Sequence, residues 1–153
     1  MHPGEFHFGE EGGYIDTLLG SCIAIILWHR ILRVGGMCHF VLPMRNGPEV
    51  SRPNARYAVE AMELFRRNIP LSTTIKEYKG MIYGGANIRQ EFAGTDAGTI
   101  GLRNADFALN LLQRLKIEVV KVDVGKTWAR RVSFDIGSGF VEVKPVKSTE
   151  LET

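Results

Sequence analysis

Ile23-Ala24-Ile25-Ile26-Leu27-Trp28 is an unbroken apolar run, rich in β-branched and aliphatic residues. That pattern belongs to a strand buried on both faces, not to one with a wet side. The return strand follows at once: His29 and Arg30 open a turn, residues 34–42 run back, and Pro43 ends them, because proline cannot donate to a ladder. With the turn centred on Arg30 and Ile31, Cys22 stands directly opposite His39. Opposed residues on paired strands hold their Cβ atoms roughly 4.5–5.5 Å apart, which brings an imidazole within reach of a thiol. The pair Gly35-Gly36 marks a bulge or a close backbone approach that would shift this register.

The 153 residues suit one domain able to bury a real core. Residues 1–146 read as that domain and residues 147–153 as a flexible polar tail. Apolar residues make up 44% and charged residues 24%, the balance of a soluble globular protein. A net charge of +2 without a polybasic run gives no case for nucleic acid or an anionic membrane. The apolar run falls far short of the about 20 residues a membrane helix needs, and the N-terminus lacks the basic start and the apolar core of about 7–15 residues of a signal peptide. The expectation is a cytoplasmic protein without membrane insertion. Cys22 and Cys38 are the two cysteines. They form no C-x-x-C pair, and with scattered histidines they do not match a tetrahedral zinc site, so neither metal nor cofactor is expected. On the proposed hairpin they point to opposite faces, which argues against a disulfide and for a reducing compartment.

Around this centre the elements alternate in type. Residues 5–8 alternate as a short strand, residues 9–13 turn, and residues 14–18 extend toward the Gly20-Ser21-Cys22 corner. Residues 55–67 carry Tyr57, Ala58, Ala61, Met62, Leu64 and Phe65 on one helical face, with Asn68 and Pro70 as the stop. Residues 78–83 read as a strand leading into Gly84-Gly85-Ala86-Asn87. Residues 90–98 read as a mobile loop. A second helix follows Gly101-Leu102-Arg103-Asn104, with Phe107, Ala108, Leu111, Leu112 and Leu115 on its inner face. Strands at 117–124, 130–136 and 140–146 close the chain, the last two joined by the hairpin signal Gly137-Ser138-Gly139. The class is α+β.

Cys22 has an ordinary explanation, because a free cysteine most often packs as a small hydrophobe. Two features favour chemistry. The Gly20-Ser21-Cys22 corner can expose the side chain and turn backbone N–H groups toward a carbonyl, and His39 supplies a base. A neighbouring imidazole can lower a thiol from its usual pKa of about 8.5 toward thiolate at neutral pH. Cys38 has no such partner and reads as core. A working imidazole also needs a third group to orient it, and Asp16 and Thr17, just before the corner, are the nearest candidates; spacing fixes neither. His29 sits in the turn, where solvent is the default. Gly84-Gly85-Ala86-Asn87 lacks the lysine and spacing of a phosphate loop and reads better as a tight turn aiming Asn87 at a site. Trp128, Arg130 and Arg131 read either as a partner-binding edge or as an ordinary exposed loop.

Five motifs occur in order: Leu19-Gly20-Ser21-Cys22, Gly36-Met37-x-His39-Phe40-x-Leu42-Pro43, Gly84-Gly85-Ala86-Asn87, Ile100-Gly101-x-Arg103-Asn104 and Val122-x-Val124-Gly125. Together they resemble the bacterial chemoreceptor glutamine deamidase family, CheD, over nearly the whole chain. The resemblance implies packed, sandwich-like β-sheets flanked by two main helices, similar to the catalytic domain of deamidating bacterial toxins. It implies a protein-glutamine glutaminase acting on the cytoplasmic coiled coil of chemoreceptors, with Cys22 as nucleophile, His39 as base and acid, and Thr17 as the third catalytic residue. Asp16, Ser21 and Asn87 are orienting or substrate-positioning candidates. The family's third residue stands six before the cysteine, where this chain has Asp16, with Thr17 five before. Tyr83 replaces a further glycine ahead of Ala86, and residues 126–130 depart from a Gly-x-x-Gly-Arg-like run near the substrate surface. The resemblance also implies docking to a CheC-type phosphatase, which as a non-catalytic binding role is the alternative function. A transglutaminase-like acyl transfer is the third.

Overall fold

The computed structural model describes residues 1–10, 12–48, 52–87 and 96–147. Among them the strands are β1 (Phe6–Gly9), β2 (Tyr14–Leu19), β3 (Ile23–His29), β4 (Val34–Phe40), β5 (Lys79–Gly84), β6 (Glu118–Val124), β7 (Ala129–Asp135) and β8 (Val141–Val146), and the helices are α1 (Ala58–Asn68) and α2 (Asp96–Arg114). They form an α+β fold with two sheets, a five-stranded one in the order β1-β4-β3-β5-β6 and a three-stranded one in the order β2-β7-β8.

The apolar run is the middle of the larger sheet, as its composition requires. Its odd positions Ile23, Ile25 and Leu27 join Cys38 and Phe40 against Ala58, Ala61, Met62 and Phe65 of α1 and Ala105, Ala108 and Leu112 of α2. Its even positions Ala24 and Ile26 join Met37, Met81 and Tyr83 against Ile15, Leu19, Val132, Phe134 and Ile136 of the smaller sheet. The order of layers is therefore helices, large sheet, small sheet. Helix α1 buries Ala58, Ala61, Met62 and Phe65, an i, i+3, i+4, i+7 face, with Glu60 in its first turn and Arg66 and Arg67 in its last, a charge order that suits the helix dipole. Strands β5 and β6 are parallel, which demands a crossover, and α2 lies in it.

The hairpin register differs from the one its shortest turn would give. Ala24, not Cys22, pairs with His39, because the turn occupies four residues, Arg30 to Arg33, instead of centring on Arg30 and Ile31. Arg33 takes a left-handed φ of 54° and donates its N–H to the His29 carbonyl at 2.8 Å. The double glycine marks a close approach without a bulge: a Cβ on Gly35 would meet the Leu27 carbonyl and one on Gly36 the His7 carbonyl. Strand β1 adds to β4, far along the chain from it. His29, expected in solvent, is buried at the end of β3, edge-on to Tyr78, and its Nδ1 accepts the Leu32 N–H at 3.1 Å. Helix α2 begins at Asp96, so Asp96 to Gly98 are helical where a loop was expected. The rest of that expected loop from Gln90, and the tail from Ser148, lie outside the described residues.

Candidate active site

Strand β2 alternates strictly, with Ile15, Thr17 and Leu19 buried and Tyr14, Asp16 and Leu18 turned the other way. That parity separates the two candidates for the third residue. Thr17, 2% exposed, points into the layer between the sheets. Its Oγ1 lies 2.8 Å from His39 Nδ1 and donates to the Met1 carbonyl at 3.0 Å. Asp16 points outward, accepts the Ser133 hydroxyl at 2.6 Å and lies 3.6 Å from Arg131. Thr17 therefore meets His39, and Asp16 does not.

His39 sits on the inner face of β4, 1% exposed. Its Nε2 is a buried polar atom without a partner among the described residues. Its backbone is clamped on the side away from β3: Gly4 N–H donates to the His39 carbonyl at 2.8 Å and His39 N–H to the Glu5 carbonyl at 3.1 Å. Burial, and next the charge of the chain's amino group, hold the imidazole down to about 4, against a smaller upward pull from Glu5 and a further downward one from His2. The ring is neutral through the physiological range.

Cys22 is half-buried and packs on the same inter-sheet core. It lies in the bend that precedes β3, two residues before Ala24, the residue that pairs with His39, so it does not stand directly opposite His39. No thiol–imidazole hydrogen bond forms among the described residues, and the expected lowering of the thiol by the imidazole is not seen. Burial pushes the Cys22 thiol up, with the Arg56 guanidinium pulling the other way. Cys38 faces the helices, fully buried, its thiol pushed up by burial to about 12. The two cysteines lie on opposite faces of the sheet, as the alternation required.

The glycine motif after β5 holds the corner in place. Gly85 N–H donates to the Cys22 carbonyl and Ala86 N–H to the Gly20 carbonyl, both at 2.9 Å, while Gly125 N–H donates to the Gly84 carbonyl at the same distance. Gly84 and Gly85 hold φ of 112° and 69°, conformations costly to any residue with a Cβ. Asn87 turns away at the backbone, its N–H on the Lys126 carbonyl. Ser21 is exposed at the corner.

One residue escaped the sequence reading and another was placed wrongly by it. Arg56, whose charge acts on Cys22, falls within the residues 55–67 expected to be helical, but lies in the turn before α1, which begins at Ala58. Arg130, 1% exposed, is not part of a surface edge: its Nη1 donates to the Asp123 carbonyl and carboxylate at 2.9 and 2.8 Å, and its Nη2 to the Gly125 carbonyl. Its inward position follows from β7 parity with Val132 and Phe134, a signal overridden by the charge of the side chain. Trp128 and Arg131 do remain exposed.

A family model described as "CheD chemotactic sensory transduction" matches residues 41–145, beginning just after His39. Individual relatives extend across the cysteine corner. A probable chemoreceptor glutamine deamidase CheD 3 of Dechloromonas aromatica is 40% identical over 92% of this chain and 83% of its own. A probable chemoreceptor glutamine deamidase CheD 1 of Chromobacterium violaceum is 35% identical over 99% of this chain and 79% of its own. One of the same description from Shewanella oneidensis is 36% identical over 99% and 73%.

Proposed function

Because the chain belongs to the CheD family, we propose that it is a chemoreceptor glutamine deamidase, a hydrolase of chemotaxis, with residues 1–146 as its deamidase domain and Cys22, His39 and Thr17 as its catalytic residues. The reading rests on one arrangement: a half-buried thiol, an imidazole with a free Nε2 and a hydroxyl on that imidazole's Nδ1, all in one layer between the sheets.

Cys22 Sγ attacks the glutamine carboxamide carbon as its proton passes to His39 Nε2. The carbon–nitrogen bond then breaks, the imidazolium protonates the leaving nitrogen, and ammonia departs from a thioester. Water, deprotonated by Nε2, attacks the thioester carbon, the carbon–sulfur bond breaks, glutamate is released, and the imidazolium returns its proton to the departing thiolate. The carbonyls of Gly20 and Cys22 are held by Ala86 and Gly85, so the Ser21 and Cys22 amides are the corner's donors for the oxyanion. The site is a surface corner, which suits a side chain presented by a helical coiled coil. Among the described residues no helix is long and apolar enough to cross a membrane, and we place the chain in the cytoplasm beside the receptor's signalling coiled coil.

Mass spectrometry of a receptor cytoplasmic fragment tests this reading: a gain of about one mass unit per modified glutamine, absent with Cys22→Ala, is expected. No gain across several fragments overturns it. A labelled amine appearing in the fragment would instead mark acyl transfer. Docking to a CheC-type phosphatase rests on the family resemblance, and a pull-down in which Cys22→Ala binds as wild type does would establish it separately.

A further inference from the structure

Thr17 Oγ1 touches two groups at once, the Met1 carbonyl at 3.0 Å and His39 Nδ1 at 2.8 Å. A hydroxyl has one proton to give. A carbonyl oxygen can only accept, whereas an imidazole nitrogen can do either. Both contacts are therefore satisfied in one way: the hydroxyl proton goes to Met1, and Nδ1–H donates to the hydroxyl oxygen. A neutral imidazole with its proton on Nδ1 has a bare lone pair on Nε2, the atom the structure leaves buried without a partner.

We propose that residues 1–5 are a positioning strap whose Met1 carbonyl fixes the tautomer of His39 through Thr17, making Nε2 the base. The inference rests on the catalytic reading of His39 and adds residues from outside the motif-bearing segments. The strap is built for the task. His2-Pro3-Gly4-Glu5 is a turn closed by Glu5 N–H on the His2 carbonyl at 3.1 Å, with Gly4 at a φ of 83°, the Pro-Gly pattern of a type II turn. The Glu5 carboxylate accepts the His2 N–H at 2.9 Å. Met1 nitrogen donates to the Asp16 carbonyl at 2.7 Å, so the first residue is held on β2 beside Thr17. The other end is held on β4, by the two backbone bonds that Gly4 and Glu5 make with His39. The strap thus spans from the sheet carrying Thr17 to the sheet carrying His39, and it offers its carbonyl where the two meet. Without that carbonyl the hydroxyl is free to rotate and donate to Nδ1, which moves the ring proton to Nε2 and removes the base.

The test reads the tautomer directly, in the full chain labelled with ¹⁵N-histidine. A long-range ¹H–¹⁵N correlation at neutral pH shows which ring nitrogen carries the proton, with the His39 signal identified by its loss in His39→Gln. Wild type is expected to carry it on Nδ1, and Thr17→Ser, which keeps the hydroxyl, is expected to do the same. Gly4→Val strains the turn at its left-handed position and is expected to raise the Nε2–H share about tenfold, the worth of one ordinary hydrogen bond, with a parallel fall in deamidation rate. A wild-type proton on Nε2, or an unchanged tautomer in Gly4→Val, overturns the proposal. Because the spectrum needs no substrate, a protein with Nδ1–H and no deamidase activity refutes the catalytic reading and leaves the strap standing.

Discussion

Gly84→Ala is the most pointed test of how the nucleophile is held. Gly84 ends β5 with a φ of 112°, and a Cβ built there runs into the carbonyl oxygen of Cys22, well inside the 3.0 Å that real Cβ atoms respect. The neighbour is backbone, not the free end of a side chain, so relief has to come from moving the cysteine corner or the end of β5. A displacement close to 1 Å is needed, and one of about 1 Å at a reacting atom costs on the order of 10²-fold in rate. The backbone conformation adds about 1–3 kcal/mol of strain and the overpacking a similar amount. The total of roughly 3 kcal/mol lowers the Tm of a domain this size by about 10 °C and leaves it folded within a usual stability of about 5–15 kcal/mol.

Gly47→Ala separates strain from contact. Gly47 has nearly the same φ, 105°, with nothing within 4 Å of the added Cβ. It shares the backbone cost and lacks the collision. Initial rates of receptor-fragment deamidation, followed by mass change, and thermal melts by circular dichroism are to be compared across wild type and both variants. The expectation is a loss of about 100-fold in Gly84→Ala and near wild-type turnover in Gly47→Ala. A folded Gly84→Ala protein within about twofold of wild-type activity would show that this contact does not set the position of Cys22.

Two further outcomes follow from the electrostatics. A small alkylating reagent is expected to label Cys22 and leave Cys38, buried with a thiol near 12, untouched until unfolding; Arg56→Ala removes the charge that pulls the Cys22 thiol down, so labelling at pH 8 slows and Arg56→Lys restores it. Equal labelling of the two cysteines in peptide maps, or no effect of Arg56→Ala, contradicts this. For His39, the neutral ring is the active form, so kcat/KM is expected to hold as pH falls through 6 and to fail near the folded pKa of about 4. The same shift links to stability. Between about 6.5 and 4 the unfolded chain binds a proton that the folded chain refuses, so stability declines as pH falls through that window, by on the order of 3 kcal/mol, and denaturant titrations should find a shallower decline in His39→Asn.

The larger outline was legible because it follows from period and punctuation. The run at Ile23 to Trp28 read as a strand buried on both faces, and it is one, while the α1 face was set by the spacing of Ala58, Ala61, Met62 and Phe65. The register of the hairpin was not legible, because it depends on turn length. Here an arginine, Arg33, takes the left-handed position that sequence reading looks for in glycine or asparagine. Choosing Thr17 over Asp16 needed only the alternation of β2, a signal present in Tyr14-Ile15-Asp16-Thr17-Leu18-Leu19 once the strand's buried face is known. Arg130 shows the opposite case. Parity puts it inside, and the Asp123 carboxylate together with the carbonyls of Asp123 and Gly125 explains how a guanidinium can stay there. The role of residues 1–5 is non-local too, since β1 joins β4 and carries the strap with it.

The arrangement of the site also bears on when the thiol loses its proton. The thiol of Cys22 is pushed above its ordinary value and the imidazole of His39 is held well below its own, both of which disfavour an ion pair between them. A permanent thiolate would be exposed to oxidants at a surface corner. In the proposed mechanism a neutral pair couples proton transfer to attack, when negative charge on the substrate oxygen stabilises the imidazolium that forms. That coupling depends on His39 and Thr17 staying in register although they sit on different sheets. The sheets are joined by Trp28 Nε1 on the Ile136 carbonyl at 2.7 Å at the other end of β3, by Arg130 across β6 and β7, and beside His39 and Thr17 by the strap from β2 to β4. Since β2 contributes the hydroxyl and β4 the imidazole, it is the strap, which touches both, whose loosening acts on the base first.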